Sequence, residues 1–322
     1  MKESYFVLLY YCYTNISNPN KFRENHHLFC INNDLKGRII VSKEGINGTI
    51  SGKKNDCENY IKKIYSDKRF RNIEFKIAKH SKNVFKKLNV RLKKEIVNSG
   101  IKNIDPTTLS GKYIEPQEFK SILKNNSKDV VILDIRSDYE YNVGKFKNAL
   151  TLDIENFREF QDKIDELKKY KNKKIITYCT GGVKCEKASG FLLKKGFKNV
   201  YQLHGGIIKY GIEEDGHDFE GKCYVFDNRL TVNINKSNPS VISKCYITGE
   251  ISDRMVNCAN PECNIHVPMS ENGSKLFKGC CSKSCMKNEN TRAYNGSGNY
   301  QKSLNGYNPY IGYKNKSRKI KS

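Results

Sequence analysis

The segment Cys179-Thr180-Gly181-Gly182-Val183-Lys184-Cys185 places a thiol at the start of a tight, glycine-bearing turn. The run before it, Lys174-Ile175-Ile176-Thr177-Tyr178, has the apolar, β-branched character of a buried strand. After it, Cys185, Ala188, Phe191 and Leu192 recur at helical spacing. A cysteine between a strand and a helix meets backbone N–H groups gathered as a nest, together with the positive end of the helix. Both favour the thiolate, which is the nucleophilic form. Lys184 adds a positive charge, and Gly181 and Gly182 allow the backbone angles such a turn needs. A buried structural thiol is the alternative for any cysteine. The glycine pair and the basic residue favour the reactive reading, with Cys179 as nucleophile and Thr180, Gly181, Gly182, Val183 and Lys184 as its loop. Two readings of Cys185 stand: a resolving thiol for an oxidised Cys179, or a first-turn helix residue facing the core, which is the favoured one.

A second group of reactive side chains lies near the end of the chain: Cys245, Cys258, Cys263, Cys280, Cys281 and Cys285. Cys258-x4-Cys263 and Cys281-x3-Cys285 have knuckle-like spacing, and these four thiolates could hold one zinc ion. Paired C-x2-C motifs are missing. His266 could complete a ligand set, although a lone histidine is more often simply solvated.

The elements that must carry these groups fall into an α/β chain of several parts. Residues 1–80 read β-α-β-β-α-β: a strand at 4–13, a helix after Pro19, a strand at 38–42, a turn over Glu44–Thr49 feeding another strand to Ser51, a helix at 56–65 and a strand at 73–78. That order is the split βαβ, or ferredoxin-like, α+β arrangement. Residues 81–112 read as a connector, with a strand expected at Arg91–Val97. Residues 113–220 alternate helix and strand, which implies a parallel sheet covered by helices. The expected elements are a helix at 116–123, a strand at 130–133 ending at Asp134, an amphipathic helix at 156–167, the strand 175–178, a helix at 185–195 and a strand at 200–203. Ligands of parallel sheets bind at the carboxyl ends of the strands, where Cys179 falls. Residues 221–287 form a cysteine-rich C-terminal region, and residues 288–322 read as a basic, disordered tail.

The chain has 322 residues with 58 Lys and Arg against 34 Asp and Glu, a formal net charge of +24. Such a balance suits an anionic partner, most plausibly nucleic acid, although the excess of lysine runs through every segment. Arg38, Lys43, Arg158 and Lys187 are basic residues beside the motifs. In the tail, Tyr300, Tyr307, Tyr310 and Tyr313 alternate with Lys302, Lys314, Lys316, Arg318 and Lys319, a pattern able to stack on unpaired nucleotides. No segment is long enough to span a membrane. The apolar run Phe6–Tyr11 is short and lacks the flanks of an export signal, so the twelve cysteines are expected as reduced thiols in the cytoplasm.

Residues 113–220 resemble a rhodanese domain. As a whole, the chain to about residue 234 is similar to the bacterial tRNA uridine hydroxylases. The resemblance rests on Glu44-Gly45-Ile46-Asn47-Gly48-Thr49, Lys94-Glu95-Ile96-Val97, Phe157-Arg158-Glu159-Phe160, Cys179 through Ser189, Gly205-Gly206-Ile207 and Tyr224-Val225-Phe226-Asp227. It implies hydroxylation of the wobble uridine 34 of tRNA to 5-hydroxyuridine, with molecular oxygen as co-substrate and an electron donor that the sequence does not identify. The tRNA would present its single-stranded anticodon loop. The family's reactive cysteine falls on Cys179, and Lys184 stands where the family usually has Arg, keeping the charge but losing the fork of donors. Rhodanese features also fall on Asp134-Ile135-Arg136 and Glu140. Arg136 either supports the loop electrostatically or, as favoured, forms an ion pair with Glu140. Three other functions are open to the same loop. A rhodanese-type sulfurtransferase would carry a Cys179 persulfide. A cysteine phosphatase would need five residues between Cys and Arg, whereas four separate Cys179 from Lys184. A non-enzymatic RNA-binding scaffold would not need Cys179 at all.

Overall fold

The computed structural model describes residues 4–296 and 298. The elements run in order β1 (Tyr5–Tyr13), α1 (Pro19–Asn32), β2 (Lys36–Ser42), β3 (Gly45–Lys53), α2 (Lys54–Tyr65), β4 (Lys76–His80) and β5 (Leu88–Leu92). Local chemistry sets several of these ends. Pro19 occupies the first turn of α1 and the Asn18 side chain accepts the Lys21 N–H, so the helix begins there. The sheet order is β4-β1-β3-β2-β5, with β1 and β3 antiparallel in the centre. Its first four strands are those of the ferredoxin-like arrangement. Leu8, Tyr10, Ile39, Ile50, Tyr60 and Ile64 fill its core. Within that core the Tyr60 hydroxyl meets both Tyr10 and His26.

The fifth strand corrects the reading of residues 81–112. The strand is Leu88–Leu92, rather than Arg91–Val97, and it pairs parallel with β2. The first unit therefore continues beyond residue 80. The cause is non-local: the short run Leu88, Val90 matters only because an edge of β2 is free to receive it.

The second unit contains β6 (Lys112–Ile114), α3 (Pro116–Asn125), β7 (Val130–Asp134), α4 (Asp138–Tyr141), β8 (Gly144–Phe146), β9 (Leu150–Thr151), α5 (Ile164–Leu167), β10 (Lys174–Tyr178), α6 (Val183–Lys194), β11 (Asn199–Leu203) and α7 (Gly206–Glu213). Its sheet, β6-β11-β10-β7-β9, is parallel throughout. Alternate residues of β10 feed cores on both faces: Ile175 packs with Leu133, Phe160 and Leu192, and Ile176 with Phe119, Phe146 and Tyr210. The expected helix at 156–167 is a 3-10 segment, Phe157–Lys163, followed by the single turn α5. Phe157 and Phe160, three apart, bury together, and a 3-10 turn aligns residues at that spacing. Helix α6 starts at Val183, two residues earlier than its apolar pattern suggests, because Gly182 caps it.

The third region holds β12 (Phe219–Tyr224), β13 (Thr231–Asn233), β14 (Met255–Asn257), β15 (His266–Pro268), α8 (Glu271–Leu276) and α9 (Lys283–Met286). Strand β12 pairs with β8 and β13 and ties this region to the second unit. Residues 288–296, read from sequence as the start of a disordered tail, are held in place. Arg292 donates to the carbonyls of Cys258 and Ala259, and Asn288 to Glu262. The tail tyrosines Tyr300, Tyr307, Tyr310 and Tyr313 and the lysines around them lie outside the described residues. Among the described residues, no helix is long and apolar enough to cross a membrane.

Units one and two are joined by buried polar contacts. The Lys187 ammonium, 2% exposed, lies 2.8 Å from Glu44 and 3.1 Å from Glu95. Glu95 also accepts from the N–H of Ser99 and of Gly100. Burial would raise its pKa, but the Ser99 and Lys187 hydrogen bonds outweigh burial and hold it below the usual 4.5. A depressed carboxylate stabilises the fold above its unfolded pKa, and that contribution is lost as pH falls through the folded value. Glu95→Gln is therefore expected to lower stability near neutral pH by about 1.5–3 kcal/mol. It should also flatten the acid limb below pH 4.5. Urea denaturation across pH checks both; an unchanged acid limb would remove Glu95 from this role.

Candidate active site

Cys179 follows β10 directly, and the turn Thr180-Gly181-Gly182 leads into α6. Gly182 has φ +99°, a conformation that side chains rarely adopt, and its N–H points at Cys179 Sγ from 3.2 Å. The thiol is 1% exposed. Burial by itself would raise its pKa. The Cys185 thiol, the Lys184 charge and the N–H groups of Lys184 and Gly182 overcome burial and hold Cys179 down at about 6. At neutral pH the thiolate is thereby favoured over the thiol. The loop read from sequence thus converges on one sulfur atom.

Cys185 is fully buried in the core of the second unit, and its thiol is also the donor to Cys179. Cys185 thus faces the core from the first turn of α6, beside Cys179.

Arg136 differs from expectation. Its carboxylate partner is Asp134 at 2.7 Å, with both side chains fully buried, instead of Glu140. It also donates to the backbone carbonyls of Gly144 and Glu140. Glu140 is thereby left for Lys184, whose ammonium lies 2.7 Å from its buried carboxylate. Thr180 Oγ1 and the Ser137 N–H also reach Glu140. Arg136 thus fixes the turn that carries Glu140, and Glu140 fixes Lys184 beside the sulfur.

The far side of the loop rests on α7. The N–H groups of Ile207 and Ile208 donate to the carbonyls of Cys179 and Thr180 at 3.0 and 3.1 Å. Gly206, with φ +66°, permits this approach: a Cβ there would sit 2.5 Å from the Cys179 carbonyl oxygen.

Strand β1 of the first unit covers the loop. A Cβ on Gly181 would meet Leu9 at 2.9 Å, and one on Gly182 would meet the Tyr11 hydroxyl at 2.9 Å. Tyr13 donates to the Val183 carbonyl, and Tyr11 and Tyr113 both donate to the buried carboxylate of Glu186. Lys76, also buried, places its ammonium 5.0 Å from the centre of the Tyr11 ring. Its pKa is lowered, chiefly by burial. The sequence reading does not single out Tyr11, Tyr13, Lys76 or Glu186 as site residues. Three of the four come from another unit, and no local spacing connects them with Cys179. Two clefts, about 390 Å³ beside Ile122 and Lys147 and about 580 Å³ beside Phe22 and Arg69, are lined by neither Cys179 nor its loop.

Of the basic residues beside the motifs, Lys187 is consumed by Glu44 and Glu95, and Arg158 donates to Asn98. Arg38 and Lys43 are exposed.

In the third region, the sulfurs of Cys258, Cys263, Cys281 and Cys285 all lie within 4.8 Å of one another, a set that could hold a metal ion. His266 is outside this set. Rather than being solvated, it accepts or donates a 2.7 Å hydrogen bond with Tyr224 and packs beside Tyr139.

Three family models match the chain: the UPF0176 acylphosphatase-like domain over residues 5–96, the rhodanese-like domain over 115–213 and the rhodanase C-terminal model over 220–286. A tRNA uridine(34) hydroxylase of Cytophaga hutchinsonii is 56% identical over 309 residues, covering 96% of this chain and 98% of its own. One from Staphylococcus haemolyticus is 47% identical over 292 residues, covering 89% and 91%. Among solved structures, a rhodanese-like domain protein from Staphylococcus aureus is 30% identical over 32% of this chain and 94% of its own, with a TM-score of 0.26.

Two measurements test this geometry. Thiolate absorbance of the wild type, less that of Cys179→Ser, should titrate with a midpoint near 6. Lys184→Met should move that midpoint upward, because a cation that favours the thiolate is gone; a midpoint that stays put would show the lysine to be irrelevant. Asp134→Asn leaves Arg136 buried without its carboxylate and should cost about 3–5 kcal/mol in denaturant unfolding.

Proposed function

The chain belongs to the family of tRNA uridine(34) hydroxylases, and on that premise we propose that it converts the wobble uridine of tRNA to 5-hydroxyuridine. The observation that carries this reading is the Cys179 sulfur, buried yet held near pKa 6 by donors from its own loop. Such a thiolate is a nucleophile at neutral pH, suited to attack an electron-poor pyrimidine or to carry an oxidised sulfur intermediate. In this reading Cys179 is the catalytic residue. Thr180 to Val183 shape its loop, and Lys184 sets its ionisation. Arg136 and Cys185 support it through Glu140 and through the thiol–thiol hydrogen bond.

The reaction inserts one oxygen atom into the C5–H bond of uracil. With dioxygen as co-substrate, the second oxygen atom leaves as water, taking two electrons and two protons from a separate donor. The anticodon loop suits such an enzyme, because its unpaired bases can be splayed toward a site. The net charge of +24 suits a polyanion. A cytoplasmic enzyme is implied by that substrate.

Nucleoside mass spectrometry tests the proposal. Cells lacking other hydroxylation routes should gain 5-hydroxyuridine when given the wild type and remain at background with Cys179→Ser. Under ¹⁸O-labelled dioxygen the new hydroxyl should carry the label. If neither form yields the nucleoside while purified protein turns over thiosulfate, a sulfurtransferase working through a Cys179 persulfide replaces this reading.

A further inference from the structure

We propose that Cys258, Cys263, Cys281 and Cys285 hold one zinc ion, and that this ion is what keeps the third region folded beside the active-site wall. The proposal stands on this region alone and does not depend on the reaction at Cys179.

The geometry comes first. Zinc–thiolate bonds of about 2.3 Å in a tetrahedron put neighbouring sulfurs about 3.8 Å apart. Here Cys263 and Cys281 are 3.6 Å apart and Cys281 and Cys285 are 3.7 Å apart. The widest separation in the set is within 4.8 Å. A disulfide needs about 2.05 Å, so none of these thiols is bridged. An iron–sulfur cluster places iron and sulfide between its thiolates and spreads them farther than this. Four thiolates converging on one point suit a single tetrahedral, thiophilic ion.

The backbone is arranged for the same end. Cys258 and Cys263 bracket the connection between β14 and β15, and Cys281 and Cys285 bracket the entry to α9. The Cys281 N–H donates to Cys258 Sγ, and the Cys258 N–H to the Ile265 carbonyl. Such amide donors orient a thiolate and tune its charge. Arg292 closes over the first turn by donating to the Cys258 and Ala259 carbonyls.

The need for an ion follows from the core. Around this cluster the fully buried non-cysteine residues are Val256, Ala259, Val267 and Met269, with Ile247, Ile265 and Met286 partly buried against them, and the other buried members are cysteines. So small a module rarely folds on apolar burial alone, and a structural metal supplies the missing stability. The module also reaches the site. His266 on β15 bonds Tyr224 and packs on Tyr139, the neighbour of Glu140 that holds Lys184.

Only one ion is expected. Near Cys245 the groups that approach the sulfur are the Thr248 N–H and the Ser270 hydroxyl, both at 3.4 Å. Hydrogen bonds, not further thiolates, surround that cysteine.

Elemental analysis of the purified full chain tests the proposal, with one zinc per chain expected. Exchange with cobalt(II) should give the visible bands of a tetrahedral tetrathiolate complex, a readout independent of folding yield. Cys258→Ser and Cys281→Ser should each lose the metal and unfold the region at lower temperature. Cys280→Ala, a buried cysteine outside the set, should keep both metal and spectrum. Absence of metal with all twelve thiols free, iron in place of zinc, or a disulfide among the four would each overturn it.

Discussion

A sulfur atom that is 1% exposed and still ionised near neutral pH must have its charge met by donors already in place. Water cannot do this at such a site, and an unmet buried charge is costly. The surrounding architecture answers that demand. Gly181 and Gly182 bend the chain so that N–H groups face the sulfur, and α6 begins where they point. Gly206 lets α7 press its own N–H groups on the loop carbonyls, which stiffens the turn from behind. A loop held on both sides loses little on reorganisation, and preorganised donors are worth more than mobile ones.

The cation at this site is restrained as much as the anion. Lys184 is shared between the sulfur and Glu140, and Glu140 is set by the turn that Arg136 and Asp134 anchor. Two ion pairs, Asp134–Arg136 and Glu140–Lys184, are joined by the Glu140 backbone carbonyl, which accepts from Arg136, so each charge has a partner of the opposite sign. This pattern explains how a lysine serves where a forked guanidinium would otherwise be at home: the carboxylate fixes its position. The same contacts connect the buried Arg136, through Glu140 and Lys184, to a loop that it does not touch.

The first unit is structurally part of the site. Leu9, Tyr11 and Tyr13 on β1 lie on the loop, and Lys187 locks the two units with Glu44 and Glu95. In the third region, Tyr224 and His266 pack against Tyr139. The first unit has its own core, while β12 and Ile234 of the third region share a core with the second unit.

Taken alone, the sequence determined what depends on near neighbours. The order β-α-β-β-α-β, the strand of Ile175 and Ile176, the glycine turn after Cys179 and the four thiols with knuckle spacing all follow from residue type and short-range periodicity. Tertiary structure decided the pairings. Arg136 takes Asp134 and leaves Glu140 to Lys184, 44 residues away. Leu88–Leu92 becomes a strand only because β2 offers an edge. Tyr11 and Lys76 enter the site from a different unit. Phe157 and Phe160 select a 3-10 segment through the core they fill. Local propensity can specify which groups are available and in what conformation they start. Which group compensates a buried charge depends on which side chains are brought within about 3 Å of it, and that is settled when separate cores pack together.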